Sequence, residues 1–362
     1  MENTVILEEY AKSRSRRTGL LKKYGVTLLF LFPFITAFLM FFVYPLFYGI
    51  YISMTDFKYG IPGQESFNSF NWYKIILGIG TSNKITENFW NSFSNSLIFS
   101  IIMVPIAILV PLALAILVNK KPAGFKLFRT LIYLPSIVPL TASSAIFVML
   151  FNPLPQHGLI AEVCNLLGTP VNFDWFIDVM FKFNFFGKEV EVVYAWIPIF
   201  LMCFWGGWGG NFIILSAGLE NVPKSLYEAA DIDGCSKWKK ITSVTLPGIK
   251  GQLVLTLFTT IIGYMGLYGQ NYVLFGGGPS NSKLSSIPGG GYTSTIIYFI
   301  QDIVANNPDN KSRIYGLGAA ASIVFAIFVG IISGIQMYIT RDKKTGTKIS
   351  ERYAKWKLAK SH

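Results

Sequence analysis

Six stretches of this sequence contain no Asp, Glu, Lys or Arg: residues 24–55, 88–119, 130–161, 192–219, 251–282 and 314–340, the shortest of them 27 residues long. A helix crosses the hydrocarbon of a bilayer with about 20 mainly apolar residues, so each stretch holds one crossing plus its interfacial ends. Six core helices of a soluble protein would need a charged shell, and only 14% of the 362 residues are charged, against about 25% in ordinary globular chains. The chain therefore reads as an all-α integral membrane protein with six transmembrane helices, near residues 24–53, 90–118, 128–151, 194–219, 250–275 and 314–340.

The net charge of +12 raises the question of a nucleic-acid partner, and the placement of the 31 basic residues answers it. Residues 1–23 hold 6, the second connection (Lys120, Lys121, Lys126, Arg129) 4, the fourth (Lys224, Lys237, Lys239, Lys240, Lys250) 5, and the tail from Arg341 holds 8. These alternate segments total 23, while the other three connections share 8. By the positive-inside rule both termini face the cytoplasm, and the basic excess requires no nucleic acid. Three regions follow: a cytoplasmic basic segment over 1–23, a membrane domain over 24–340 with a cytoplasmic loop at 220–249, and a cytoplasmic basic tail over 341–362. Tyr353, Trp356 and Leu358 among the tail's lysines suit contact with anionic membrane lipid as well as they suit a solvated tail. The first stretch is longer than a signal-peptide core and has no small-residue cleavage site after it, so it is expected to remain as the first span.

Catalytic and metal chemistry find no support. Cys164 lies outside, Cys203 within the fourth span and Cys235 inside, and His157 and His362 have no ligating neighbours. The Gly-rich stretch after Phe275 has no following Lys-Ser or Lys-Thr and reads as a turn-rich outer loop, not a phosphate loop. Trp72, Trp90, Trp175 and Trp196 fall near membrane boundaries, where amphipathic rings anchor. Pro105, Pro111, Pro135 and Pro139 are expected to kink the second and third spans. Ion-coupled carriers place titratable groups in their spans; their absence here argues against proton coupling, leaves sodium open, and directs attention to an energy source outside the chain.

The fourth connection is the place to look for its entry. Pro223 suits a first helical turn, and Ser225 with Glu228 three residues later has the form of a capping box. Gly234 provides a backbone break, a second short helix is expected from Ser236 to Val244, and Leu246-Pro247 is expected to end it. On composition alone this is an amphipathic hairpin at the inner membrane face.

Glu228-Ala229-Ala230, then Gly234, then Val244-Thr245-Leu246-Pro247 resembles the EAA motif of the membrane subunits of binding-protein-dependent ABC importers. Phe128-Arg129-Thr130 leading to Leu134-Pro135, the Leu150-Phe151-Asn152-Pro153 end of the third span, and Phe275-Gly276-Gly277-Gly278-Pro279 are similar to the carbohydrate branch, the relatives of the maltose permease subunit. The resemblance implies a type I ABC importer permease fold and an importer with a second homologous permease subunit, two ATPase subunits and an extracytoplasmic sugar-binding protein. It implies no cofactor in this chain, with ATP and Mg on the partner ATPase. Compared with the maltose subunit, no extra leading span and no large external domain are expected. The hairpin would be the coupling helix, with Glu228, Ala229, Ala230, Asp231, Gly234, Leu246 and Pro247 as coupling residues.

For the solute path two groups stand out. Trp205, Trp208 and Phe212 share a helical face of span four beside Asn211, although Gly206 and Gly210 equally suit close helix packing. Thr260, Tyr264, Tyr268 and Asn271 form a polar stripe in span five, which is costly in a membrane unless it faces protein or water. The reading is a permease subunit for a sugar or oligosaccharide; an ABC permease for another solute and an ion-coupled carrier are the alternatives.

Overall fold

Long charge-free stretches fold as helices because hydrocarbon offers the backbone no water to bond with. The computed structural model describes residues 25, 27, 29–57, 66–80, 83–151, 158–185, 188–275, 290–305 and 315–340. In order these form α1 (Leu29–Ser53), α2 (Asn71–Leu77), α3 (Lys84–Asn119), α4 (Phe125–Ile137), α5 (Leu140–Leu150) and α6 (Leu159–Leu166). There follow β1 (Val179–Phe185), β2 (Lys188–Val193), α7 (Trp196–Glu220), α8 (Lys224–Ile232), α9 (Lys237–Gly248), α10 (Lys250–Met265), α11 (Gly269–Leu274), α12 (Ile296–Ala305) and α13 (Tyr315–Thr340). Among the described residues α1, α3, α7 and α13 are each long and apolar enough to cross a membrane, and two bent pairs bring the number to six if each pair is one span.

The first pair is the break that Pro135 and Pro139 lead one to expect near 128–151, whereas the bend of the second pair lies ahead of the fifth span and the expected single helix near 250–275 is instead corrected by the stop of α10 at Met265. α4 and α5 meet at 89°, and α9 and α10 at 74°. The first break has a local cause. Pro135 sits in a 3-10 turn, and Val138, just before Pro139, is extended with ψ 126° because the proline ring disfavours a helical residue before it. Pro105 and Pro111, by contrast, lie inside the uninterrupted 36-residue α3. Helix α10 stops at Met265, and α11 resumes at Gly269 after the glycine-flanked turn at Gly266.

The fold is built from helices as expected; between α6 and α7 the chain adds an antiparallel hairpin of β1 and β2 that the sequence reading did not include. Alternation of Val179, Phe181, Phe183 and Phe185 is the strand signal in that segment. Lys182 pairs with Glu191 across the strands, and that hydrogen bond holds the Glu191 carboxyl below its usual range.

One helix organises the core. Along α3, Phe89 packs with Ile76, Phe299 and Leu317, Phe99 and Met103 pack with Phe147, Ile199 and Met202, and Leu112 and Ala115 pack with Phe212, Leu215 and Ile249. Each fully buried side chain of this size contributes roughly 1.5–3 kcal/mol. The apolar stretch of α1 buries nothing, and only its Tyr44–Ser53 end meets α13. Of the four tryptophans expected at membrane boundaries, Trp90 is exposed, while Trp72 donates to the Thr55 carbonyl at 3.0 Å and Trp175 and Trp196 pack edge-on or tilted against Phe151 and Phe99.

Residues 291–295 run without regular structure into α12, and side chains satisfy their backbone. Asn95 Nδ2 donates to the carbonyls of Tyr292 (3.1 Å) and Ser294 (2.9 Å), and Ser96 Oγ accepts from the Ile296 amide (3.0 Å). Asn271 Nδ2 donates to the Thr293 carbonyl, and the Thr293 hydroxyl donates back to Asn271 Oδ1 at 2.9 Å. Asn271→Leu removes both of its buried hydrogen bonds to Thr293, a loss of about 1–3 kcal/mol. The unfolding midpoint of the detergent-solubilised protein should fall accordingly; an unchanged midpoint would contradict the clasp.

Candidate functional site

Two features lie on the spans that the sequence singled out. The first is the hairpin between α7 and α10. Helix α8 starts at Lys224 behind Pro223, with no side-chain cap, so the Ser225–Glu228 capping box does not form and Pro223 precedes the first turn. Gly234 takes φ +66°, the left-handed conformation that favours glycine, and its amide bonds to the Asp231 carbonyl at 3.1 Å while the Cys235 amide bonds to that of Ala230 at 2.9 Å. Ser236 caps α9 by accepting from the Lys239 amide. This second helix does not end at Leu246-Pro247: it passes through a π-helical turn at Ile241–Thr245 and carries both residues to Gly248.

The hairpin is fixed to the spans from below. Tyr227 and Thr245 share a hydroxyl hydrogen bond of 3.1 Å, Asp231 pairs with Lys240, and Val222 and Ile249 are buried with Leu219 and Leu215. Glu228 and Ala229 are exposed, Ala230 is buried in the chain itself, Leu246 is half-buried and Pro247 exposed. Ile232, one helical turn after the exposed Glu228, is 87% exposed and Trp238 on the second helix 73%, so two large apolar side chains project from the hairpin.

The second feature is a cavity of about 500 Å³ lined by α7, α10 and the turn into α11. Asn211, Thr260, Tyr264 and Tyr268 line it together, joined by Thr259 and Gln270, which the sequence reading had not selected. The legible signal for this part was the run of glycines at 263, 266 and 269, which opens the wall where the helix breaks. Asn211 Nδ2 donates to Thr260 Oγ1 (3.0 Å) and to the Ala107 carbonyl (2.8 Å), fixing one corner of the wall. Asn271 does not line the cavity, since its amide is spent on Thr293. Trp205 and Trp208 are also absent from its lining: Trp205 packs near Phe147, Trp208 lies edge-on to Phe204, and Phe212 is buried with Leu112. The aromatic face of span four thus serves the chain's own core.

Residues 103–345 match the family model described as "Binding-protein-dependent transport system inner membrane component". The chain belongs to this family. This permease is a multi-pass inner-membrane component, and it is 29% identical over 331 residues to the arabinooligosaccharides transport system permease protein AraP of Bacillus subtilis, covering 91% of this chain and 93% of that protein. It is 27% identical to the lactose transport system permease protein LacF of Rhizobium radiobacter, covering 91% of this chain and 98% of the relative. A chain of a bacterial ABC transporter involved in import of the acidic polysaccharide alginate shares its fold with TM-score 0.62 and 20% identity, over 91% of this permease and 100% of that chain. The type I importer fold is thereby shown, and the resemblance to sugar permeases read in the motifs recurs in the relatives.

Close approach of the permease's spans falls on other glycines than Gly206 and Gly210, whose added Cβ would meet nothing within 4 Å. A Cβ on Gly207 would lie 2.5 Å from Tyr264 Oη, and one on Gly209 would lie 2.2 Å from Ser136 Oγ. Ser136 itself donates to the Gly206 carbonyl (2.9 Å) and accepts from the Gly209 amide (3.0 Å), so the broken span is stitched into α7 here. Gly209→Ala should destabilise by about 1–3 kcal/mol through overpacking. Thermal unfolding in detergent should show that loss, little effect of Gly210→Ala, and partial recovery when Ser136→Gly is added to Gly209→Ala; equal effects at 209 and 210 would refute the packing.

Proposed function

We propose that this permease forms half of the translocation pathway of an ATP-driven sugar or oligosaccharide importer, with Asn211, Thr260, Tyr264 and Tyr268 on the pathway wall. Both termini are cytoplasmic in this reading, in keeping with the distribution of basic residues. A second homologous permease subunit completes the path, an extracytoplasmic sugar-binding protein delivers the solute, and two ATPase subunits bind the ATP and Mg. The names of the relatives, permeases for arabinooligosaccharides and lactose, support the sugar class.

The observation that carries the coupling assignment is the rigidly seated hairpin that leaves Glu228, Ala229, Ile232 and Trp238 uncovered. An apolar pair beside a carboxylate is a small docking face: Ile232 and Trp238 lose water on contact, and Glu228 supplies a charge-assisted bond. Ala230 is buried within the chain and is not part of this uncovered face. Closure of the ATPase pair on ATP would pull this face and turn the spans toward the outward-open state.

Gly234→Pro removes the left-handed turn and Glu228→Lys reverses the docking charge. Both variants should insert in the membrane normally, while ATP-dependent uptake in proteoliposomes of the complete importer falls by about tenfold or more, the effect of losing roughly 1.4 kcal/mol of contact. ATPase co-purification should weaken in parallel. Uptake at the wild-type rate in both variants would refute the assignment.

A further inference from the structure

The polar side chains among the residues that line the 500 Å³ cavity are the amides of Asn211 and Gln270, the hydroxyls of Thr259 and Thr260 and the phenols of Tyr264 and Tyr268. All are neutral at physiological pH. The stretches that supply them, 192–219 and 251–282, contain no Lys or Arg. From these observations we infer that this wall selects an uncharged sugar and rejects uronic-acid, sulfonated and phosphorylated ones. The inference rests on the reading of the cavity as part of the sugar path and adds the charge of the substrate to it. The fold leaves that charge open, since the alginate importer that shares it takes an acidic polysaccharide.

The argument is electrostatic. A carboxylate, sulfonate or phosphate that leaves water for this wall meets hydrogen-bond donors but no opposite charge, and burying an unpaired ion costs several kcal/mol. A sugar hydroxyl meets groups that both donate and accept, so its lost hydration is replaced, while the Tyr264 and Tyr268 rings offer apolar faces to the CH side of the ring. The row of tyrosines leading from the cavity adds to the discrimination. Tyr268 stacks on Tyr272 at 5.2 Å, Tyr272 lies 6.5 Å from Tyr298, and the Tyr298 hydroxyl donates to Asp302 Oδ1 at 3.4 Å. The row ends on a carboxylate, which repels an anion and leaves a neutral sugar unaffected.

The test is calorimetric titration of the purified complete importer, held with ATP on a hydrolysis-deficient ATPase, with a neutral trisaccharide and with a trigalacturonate. The neutral sugar should bind, and the uronate should bind about tenfold more weakly or less. In Thr259→Lys, at an exposed position of the wall, and in Gln270→Arg, the affinity for the uronate relative to the neutral sugar should rise about tenfold, through a gain of uronate binding. Equal binding of the two sugars by the wild type, binding of neither, or no gain of uronate binding in both variants would overturn the inference. ATP-dependent uptake by the same preparation reads the underlying function separately: uptake with equal binding removes only the charge selectivity, whereas no uptake of any sugar removes the transport reading and this inference with it.

Discussion

A backbone amide or carbonyl left bare in hydrocarbon costs several kcal/mol, and this chain interrupts its helices inside its own charge-free stretches. The interruption between α4 and α5 is tied to α7 by Ser136, whose hydroxyl both donates into and accepts from the backbone of α7. Outside those stretches, the irregular backbone leading into α12 is held by the side chains of Asn95, Ser96 and Asn271. Small polar side chains on neighbouring helices therefore support the non-helical backbone ahead of α12.

The same helix joins the two functional features. Helix α10 begins at the 74° bend with α9, where a Cβ on Gly248 would lie 2.9 Å from Val222, so the hairpin cannot shift without meeting the end of α7. Sixteen residues on, α10 ends beside Tyr264 and the cavity. At 1.5 Å per residue the two are about 24 Å apart, close to the thickness of the hydrocarbon layer. A rigid rod seated on the hairpin at one end and on the cavity at the other gives a physical route for work done on one to change the shape of the other.

The sequence disclosed what depends on charge and local conformation. Charge-free length pointed to the long apolar helices α1, α3, α7 and α13, and Gly234 marked the turn because few residues besides glycine adopt φ +66° cheaply. It did not disclose what depends on a distant partner. Asn271 sat in helical register with Tyr264 and Tyr268, yet Thr293 claims its amide. Trp205, Trp208 and Phe212 formed a face whose direction is set by Phe147 and Leu112 on other helices. Pro139 breaks a span where Pro105 and Pro111 do not, and the residues that satisfy the freed groups lie elsewhere in the chain. The hairpin strands were legible as alternation but were outweighed by the membrane pattern around them.

The central claim is that energy enters from a partner through the exposed turn ahead of α10. A photo-crosslinking residue at position 232, where the side chain is 87% exposed, tests it in the intact complex. The account predicts crosslinks to the ATPase subunits that change in yield with bound nucleotide. Crosslinks to lipid alone, or labelling of this position from the outer side of sealed cells, would contradict it.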